Sequence, residues 1–284
     1  MSVHNPPLRD TAWRGWQLGG STAQAYERFL VPAVFAPWGR ELVRLADPAP
    51  DARVLDVACG TGVLARIAAE RLNPDARVTG VDINPDMIAV ARAVAPERAE
   101  PIRFTVGDAC ALDLPGGEFD TVLCQQALQF LADREAALAE MRRVLVPGGR
   151  LALSVLRPLR YNPAYGAFAE ALARHVGPDA GAMMRAPFPE LDTDDLRGLL
   201  RGAGFDPVTV RISVTSARYP SVRELVRQET LSSPLAARIQ EVDEAARADL
   251  VAETGRLLAD HTDDEGVVLP VQTHLALAER PLMG

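Results

Sequence analysis

Between residues 53 and 156 short β-branched runs alternate with longer amphipathic stretches, a pattern that admits few folds other than consecutive βαβ units. "RVLDVA" (53–58) reads as a buried strand. After it Leu64, Ile67, Ala68 and Leu72 share one helical face, and Asn73-Pro74 ends that helix. "RVTGVD" (77–82) is the second strand. Asn84 then offers an N-cap, Pro85 suits the first helical position, and Met87, Ile88 and Ala91 begin an apolar stripe. "IRFTVGD" (102–108) and "TVLC" (121–124) supply two more strands. A helix follows from Asp133 with Leu138, Met141 and Leu145 inward, Pro147-Gly148-Gly149 stops it, and "RLALSV" (150–155) is the fifth strand. Right-handed crossovers place all five side by side in parallel.

In an open parallel sheet a ligand sits at the carboxyl ends of the strands. The first strand runs there into Cys59-Gly60-Thr61-Gly62, where residues without Cβ let the backbone turn tightly and the following helix presents free N–H groups. Glycine at such a joint also serves steric needs alone. The second strand ends in Asp82, 26 residues after Asp56, where a carboxylate can accept both hydroxyls of a ribose. The third ends in Asp108, which either caps its own turn or accepts from the exocyclic amine of an adenine while the N–H of Ala109 faces the ring. Together the three strand ends outline a nucleoside. A dinucleotide is disfavoured, because Ala58-Cys59-Gly60-Thr61-Gly62-Val63 lacks the GxGxxG on which a pyrophosphate rests.

Composition removes other classes. With 30 basic and 38 acidic residues among 284, a net charge of −8, a broad phosphate-binding surface is disfavoured, and no nucleic acid partner is expected. No stretch reaches the roughly 18 unbroken apolar residues of a spanning helix, and the first 16 residues have no export-type apolar core, so a cytoplasmic protein without membrane contact is expected. Cys59, Cys110 and Cys124 are too few for a disulfide framework and read as small buried hydrophobes. No cluster has metal-ligand spacing, so no metal is expected.

In "VLDVACGTG", "VTGVDINPDMIAVAR", "FTVGDACALDLPGGEFDTVLCQQALQF" and "ALAEMRRVLVPGGRLALSV" the chain resembles the class I S-adenosylmethionine-dependent methyltransferases, near their ubiquinone/menaquinone and small-molecule branch. That resemblance implies a Rossmann-like α/β fold: a mostly parallel seven-stranded sheet with helices on both faces and a helical lid. It implies S-adenosylmethionine as cofactor and S-adenosylhomocysteine as product. By it Asp56, Gly60 and Gly62 surround the methionine portion, Asp82 the ribose, Ile83 and Met87 the adenine faces, and Asp108 with Ala109 the adenine edge. Gln125 stands beside the methionine end, and Tyr26 belongs to an N-terminal helix closing over it. Ala58 replaces the first glycine of the usual GxGxG. The amino-methyltransferases of DNA carry an Asn/Asp-Pro-Pro-aromatic stretch after the fourth strand, where this chain has "CQQALQF".

The remainder reads as one domain's additions: lid helices in 1–50, a cofactor core in 51–156, and lid insertions with C-terminal strands in 157–284. Residues 21–46 read as two helices broken near Pro32 and Pro37; 163–186 and 221–260 are helical, and "VTVRISVTS" and "GVVLPVQTHLALAE" are strands. These helices roof the open site. Gln126, Gln129, Tyr165, Phe168 and Met184 are the candidates for contacting a small organic acceptor, a specialised metabolite among the options. Methyl transfer from a sulfonium is an in-line displacement in which orientation supplies at most roughly 7–11 kcal/mol, and a base is needed only when the acceptor holds its proton. For that role His175, His261 and Tyr161 are the candidates; His4 falls in a tail and His274 alternates along a strand. Two other functions remain open: a non-methylating, cyclisation-type enzyme that keeps the cofactor as structure, and a silent cofactor-binding regulatory subunit. A monomer or homodimer is expected.

Overall fold

In the computed structural model, which describes residues 18–282, the chain enters through one unbroken helical run. α1 (Gly20–Ala25) passes into a π-helical segment (Tyr26–Phe35) and then α2 (Ala36–Ala46), with right-handed helical dihedrals at both junctions. The expected break at Pro32 and Pro37 does not occur. Pro32 lacks an N–H and crowds the preceding turn, and it lies inside the wider π register; Pro37 stands just past the junction where the π segment passes into α2. The run stops at Asp47, whose φ of 45° is left-handed.

The alternating segment folds as β1 (Val54–Val57), α3 (Val63–Arg71), β2 (Val78–Asp82), α4 (Pro85–Ala93), β3 (Arg103–Val106), β4 (Phe119–Gln125), α5 (Arg134–Val144) and β5 (Leu145–Leu156). Every residue of β1 and β2 is buried, as strands covered on both faces must be. Asn84 caps α4 as expected, its side chain accepting from the N–H groups of Asp86 and Met87, and Asp133 caps α5 through the N–H of Ala136. One boundary moves. α5 ends at Val144 and β5 begins at once, so Pro147-Gly148-Gly149 is not the helix stop; it falls where the register with β4 jumps from Phe119↔Leu145 to Thr121↔Arg150.

Beyond β5 come α6 (Pro163–His175), α7 (Pro178–Arg185), α8 (Thr193–Gly202), β6 (Val208–Tyr219), α9 (Val222–Leu231), α10 (Leu235–Gln240), α11 (Glu244–Leu257), the two-residue β7 (Thr262–Asp263) and β8 (Gly266–Glu279). The sheet order is β3-β2-β1-β4-β5-β8-β6, with β7 paired to β8. The five strands of the alternating segment are parallel, and β8 inserts antiparallel to both β5 and β6. Seven strands therefore make the main path, as expected, and the short β7 is an eighth. Strand order reverses between β1 and β4, so a crevice opens at their carboxyl ends.

Three large apolar clusters, and a small fourth that joins Leu18 and Ala23 to Met87 of α4, organise the described residues. One lies between the sheet and α5 and α8, with Leu138, Met141, Leu196 and Leu200. A second lies on the opposite face, where Leu42, Val43 and Ala46 of α2 meet Leu64, Ile67 and Ala68 of α3. The third sits above the crevice and joins Leu30, Val34 and Trp38 to Phe168 and Leu172 of α6, Leu225 of α9 and Leu250 of α11. The N-terminal helical run thus serves both layers: Leu42, Val43 and Ala46 near its end belong to the sheet's core, Leu30 and Val34 to the roof, with Val31 on the core side and Trp38 on the roof side. Amide exchange is expected to divide it accordingly. Residues 36–46 should be protected like 54–57, whereas 20–35 and 178–185 should exchange rapidly in the free protein and slow on adding S-adenosylhomocysteine. Uniform protection across 20–46 without ligand would contradict this division.

Candidate functional site

β1 ends at Val57 and the chain turns through three left-handed residues before α3: Ala58 (φ 55°), Gly60 (φ 53°) and Gly62 (φ 79°). At Gly62 glycine is required twice, since a Cβ would also stand 2.6 Å from the Phe104 ring. At Gly60 nothing among the described residues lies within 4 Å of the Cβ position, and only its φ asks for glycine. Ala58 holds a similar φ with a side chain, at a cost of about 1–2 kcal/mol.

Asp82 ties this turn to the next strand. Its Oδ2 accepts from the N–H of Gly60 and its Oδ1 from the N–H of Asn84, both at 2.8 Å. Burial pushes the carboxyl upward and these two amides oppose the shift. Asp56, next to the turn in β1, is more deeply buried, and burial pushes it up to about 8. Its Oδ2 accepts from the N–H of Ala65 at 2.9 Å. Asp56 therefore fastens the first turn of α3. With Gly60 and Gly62 it stands at the turn next to Ala58, which lines the cavity.

The crevice is a cavity of about 270 Å³. Ala58, Asp82, Ile83, Met87, Asp108 and Ala109 line one end. Asp108 Oδ1 accepts from the N–H of Cys110 at 2.8 Å, so it does cap its own turn while also facing the cavity. Cys110 faces the cavity too and is only partly buried, which corrects its reading as a core thiol; Cys59 and Cys124 are buried. At the middle, Gln125 donates from Nε2 to the carbonyl of Phe35 at 2.8 Å, joining the end of β4 to the roof. Tyr26 and Phe35 pack with ring centroids 5.0 Å apart, and burial pushes the Tyr26 phenol upward, so it stays neutral.

At the other end Leu30, Val34 and Trp38 meet Tyr165, Met184 and Phe188. Gln126 has a left-handed φ of 52°, and its Nε2 donates to Thr273 Oγ1 at 2.8 Å. Gln129 and Trp38 each bring a buried polar atom without a partner, Oε1 and Nε1 respectively, to side chains on the cavity wall. Such unpaired groups are uncommon in protein interiors.

Of the substrate candidates, Gln126, Gln129, Tyr165 and Met184 reach the cavity. Phe168 does not; it is wholly buried in the core beneath the roof. None of the three catalytic candidates reaches it. His175 ends α6 with Nε2 3.4 Å from Glu253 Oε2, His261 closes the short turn before β7, and Tyr161 is 37% exposed under the Arg157 guanidinium. His274 is buried against Thr193 Oγ1, and burial with the nearby Arg157 charge lowers it to about 4, leaving it neutral. His4 lies outside the described residues. Among those residues no group of three His, Cys, Asp or Glu side chains could hold a metal.

One wall residue escaped the sequence reading. Glu229, in α9, is buried on the cavity wall, and its Oε1 accepts from the phenols of Tyr165 at 3.0 Å and Tyr219 at 2.5 Å. Burial pushes its carboxyl upward against the effect of the phenols. The signal available was a glutamate on the same helical face as Leu225 and Val226, where a charge in a core stripe asks for buried partners.

The methyltransferase domain family matches residues 55–153. The chain is 33% identical over 242 residues to nocamycin O-methyltransferase of Saccharothrix syringae, covering 80% of this chain and 85% of that enzyme. It is 44% identical over 131 residues to the demethylmenaquinone methyltransferase of Thermus thermophilus, covering 46% of this chain and 57% of that one. The YcgJ protein of Bacillus subtilis shares the fold at a TM-score of 0.58 and 18% identity, over 86% of this chain and 99% of its own. The chain belongs to the class I S-adenosylmethionine-dependent methyltransferases. Its cofactor is S-adenosylmethionine, and no helix among the described residues is long and apolar enough to cross a membrane.

Proposed function

We propose that the protein transfers the methyl group of S-adenosylmethionine to a small, largely apolar organic acceptor held beneath the roof. The observation that carries this reading is the continuity of one cavity from the Asp82–Asp108 end to the aromatic end under Trp38, Tyr165 and Phe188. The residues fit the cofactor. Asp82 has one lone pair on each oxygen beyond those used by Gly60 and Asn84, enough for two ribose hydroxyls, and Ile83 and Met87 offer apolar faces to a purine whose edge meets Asp108 and Ala109. When bound, the cofactor supplies an electrophilic methyl on a sulfonium. The rings of Tyr26, Phe35 and Trp38 are available to a cation, and the roof excludes water from the reacting atoms.

The nocamycin and menaquinone enzymes to which the chain is similar support an organic acceptor of this kind, as does an apolar wall that carries no arginine or histidine among the described residues. The charge of −8 supports a protein that works without nucleic acid, and the reading is of one cytoplasmic domain acting as monomer or homodimer. Incubation with S-adenosylmethionine and a panel of hydroxylated aromatic and polyketide-like compounds should yield a product heavier by one methylene, with S-adenosylhomocysteine in equal amount. A product of unchanged mass would indicate a cyclisation-type activity and overturn the reading.

The ribose assignment has its own test. Bonds to a charged group contribute about 1.5–3 kcal/mol, so Asp82→Ala should weaken S-adenosylhomocysteine binding by roughly tenfold to hundredfold in titration calorimetry while the variant still melts cooperatively. Unchanged affinity in a folded variant would contradict it.

A further inference from the structure

Glu229 combines features that a purely structural side chain does not need. It comes from the roof helix α9, it is buried, and it faces the cavity between Tyr165 and the inner surface of β8 at Val271. Its two phenolic hydrogen bonds fall on the same oxygen: Tyr165 and Tyr219 donate to Oε1, and Oε2 receives no hydrogen bond from the described residues. A carboxylate desolvated to this extent is costly unless both oxygens are served. Two phenols hold one oxygen in place and fix the direction of the other. No arginine or histidine among the described residues shares the wall, so an anion placed beside Oε2 would meet like charge without a counter-ion there. What completes this arrangement is a neutral group that donates a hydrogen bond.

We propose that Glu229 Oε2 receives the hydrogen bond, and then the proton, of a hydroxyl on the methyl acceptor, and that the acceptor is therefore a neutral hydroxylated ring compound and not a carboxylate or phosphate. The proposal rests on the methyltransferase reading and names its substrate class. In the step, the acceptor O–H bond breaks with its proton passing to Oε2, and the oxygen's electron pair forms the bond to the methyl carbon. The sulfur–methyl bond breaks and leaves its pair on sulfur, so that charge and atoms balance without a further reactant. Tyr165 and Tyr219 act on Glu229 by holding Oε1. Trp38 Nε1 and Gln129 Oε1, the unpartnered donor and acceptor on the same wall, are free to orient polar groups elsewhere on the ring.

The probes are 2-naphthol and 2-naphthoate, alike in their rings and different in the group offered to Glu229. Calorimetry first establishes that the protein binds S-adenosylhomocysteine; a protein that does not bind it defeats the methyltransferase reading itself, and this proposal with it. With that ligand bound, 2-naphthol should bind at least about tenfold more tightly than 2-naphthoate, the scale of one unpaired or repelled buried group. Glu229→Gln keeps the shape and offers an amide N–H, so it should bring the two affinities together, with S-adenosylhomocysteine affinity unchanged as the sign of an intact fold. Tyr219→Phe removes one of the two donors that hold Oε1 and should reduce the preference while S-adenosylhomocysteine affinity stays unchanged. The proposal is overturned if the wild-type protein binds naphthoate as tightly as naphthol, if it binds neither probe at millimolar concentration, or if the preference survives in Glu229→Gln.

Discussion

The bond from the Gly60 N–H to Asp82 Oδ2 is the contact on which the arrangement of the site depends. It joins the turn after β1 to the end of β2, two elements whose strands are already paired in register, and it does so with a side chain that also holds the N–H of Asn84. Asn84 in turn caps α4, and its Nδ2 donates to the carbonyl of Leu18 at 2.8 Å. One carboxylate thereby sets the glycine turn, the start of α4 and, through Asn84, the entry of the N-terminal segment. The left-handed backbone at Ala58 persists because these neighbours over-determine it.

The roof is attached to the same framework from a second direction. Glu27 in the π-helical segment pairs with Arg66 of α3 at 2.6 Å, both largely buried, and Arg66 also donates to the carbonyl of Thr61 inside the glycine turn. Gly20 donates its N–H to Asp86 at the start of α4. The roof therefore rests on the first turns of the two helices that flank the nucleoside end, while α2 runs on into the core below. Ligand that stiffens the glycine turn is coupled by this route to the helix that covers it. The third apolar cluster, built from α6, α9 and α11 against the ends of β6 and β8, closes the opposite side.

The parts of this structure that could be read from the chain are those fixed by local chemistry. Period-two and period-3.6 patterns place β1 to β5 and their helices within a few residues, Asn84 and Asp133 declare their caps, and the strand-end carboxylates Asp82 and Asp108 line one cavity. What escaped depends on tertiary contacts. Pro32 and Pro37 look like breaks in isolation, yet packing of Leu30, Val34 and Trp38 keeps the helix whole through a π register. His175 and His261 have suitable chemistry but end roof elements and are not among the residues that line the cavity. Phe168 has the right composition for a pocket wall and points instead into the core, and Asp56, correct in motif, serves the backbone of α3. Glu229 is separated by more than a hundred residues from the glycine turn, and only the folding of α9 over the crevice brings it to the site.

A crystal structure of the complex with S-adenosylhomocysteine tests the central claim most directly, because the claim concerns what Asp82 does with both oxygens at once. The ribose hydroxyls should lie on Asp82 with its bonds to the Gly60 and Asn84 amides still in place, the adenine between Ile83 and Met87 with its edge at Asp108, and the thioether sulfur facing Tyr26 and Trp38. A complex in which Asp82 has released Gly60, or in which the ribose is held by other groups, would contradict the account.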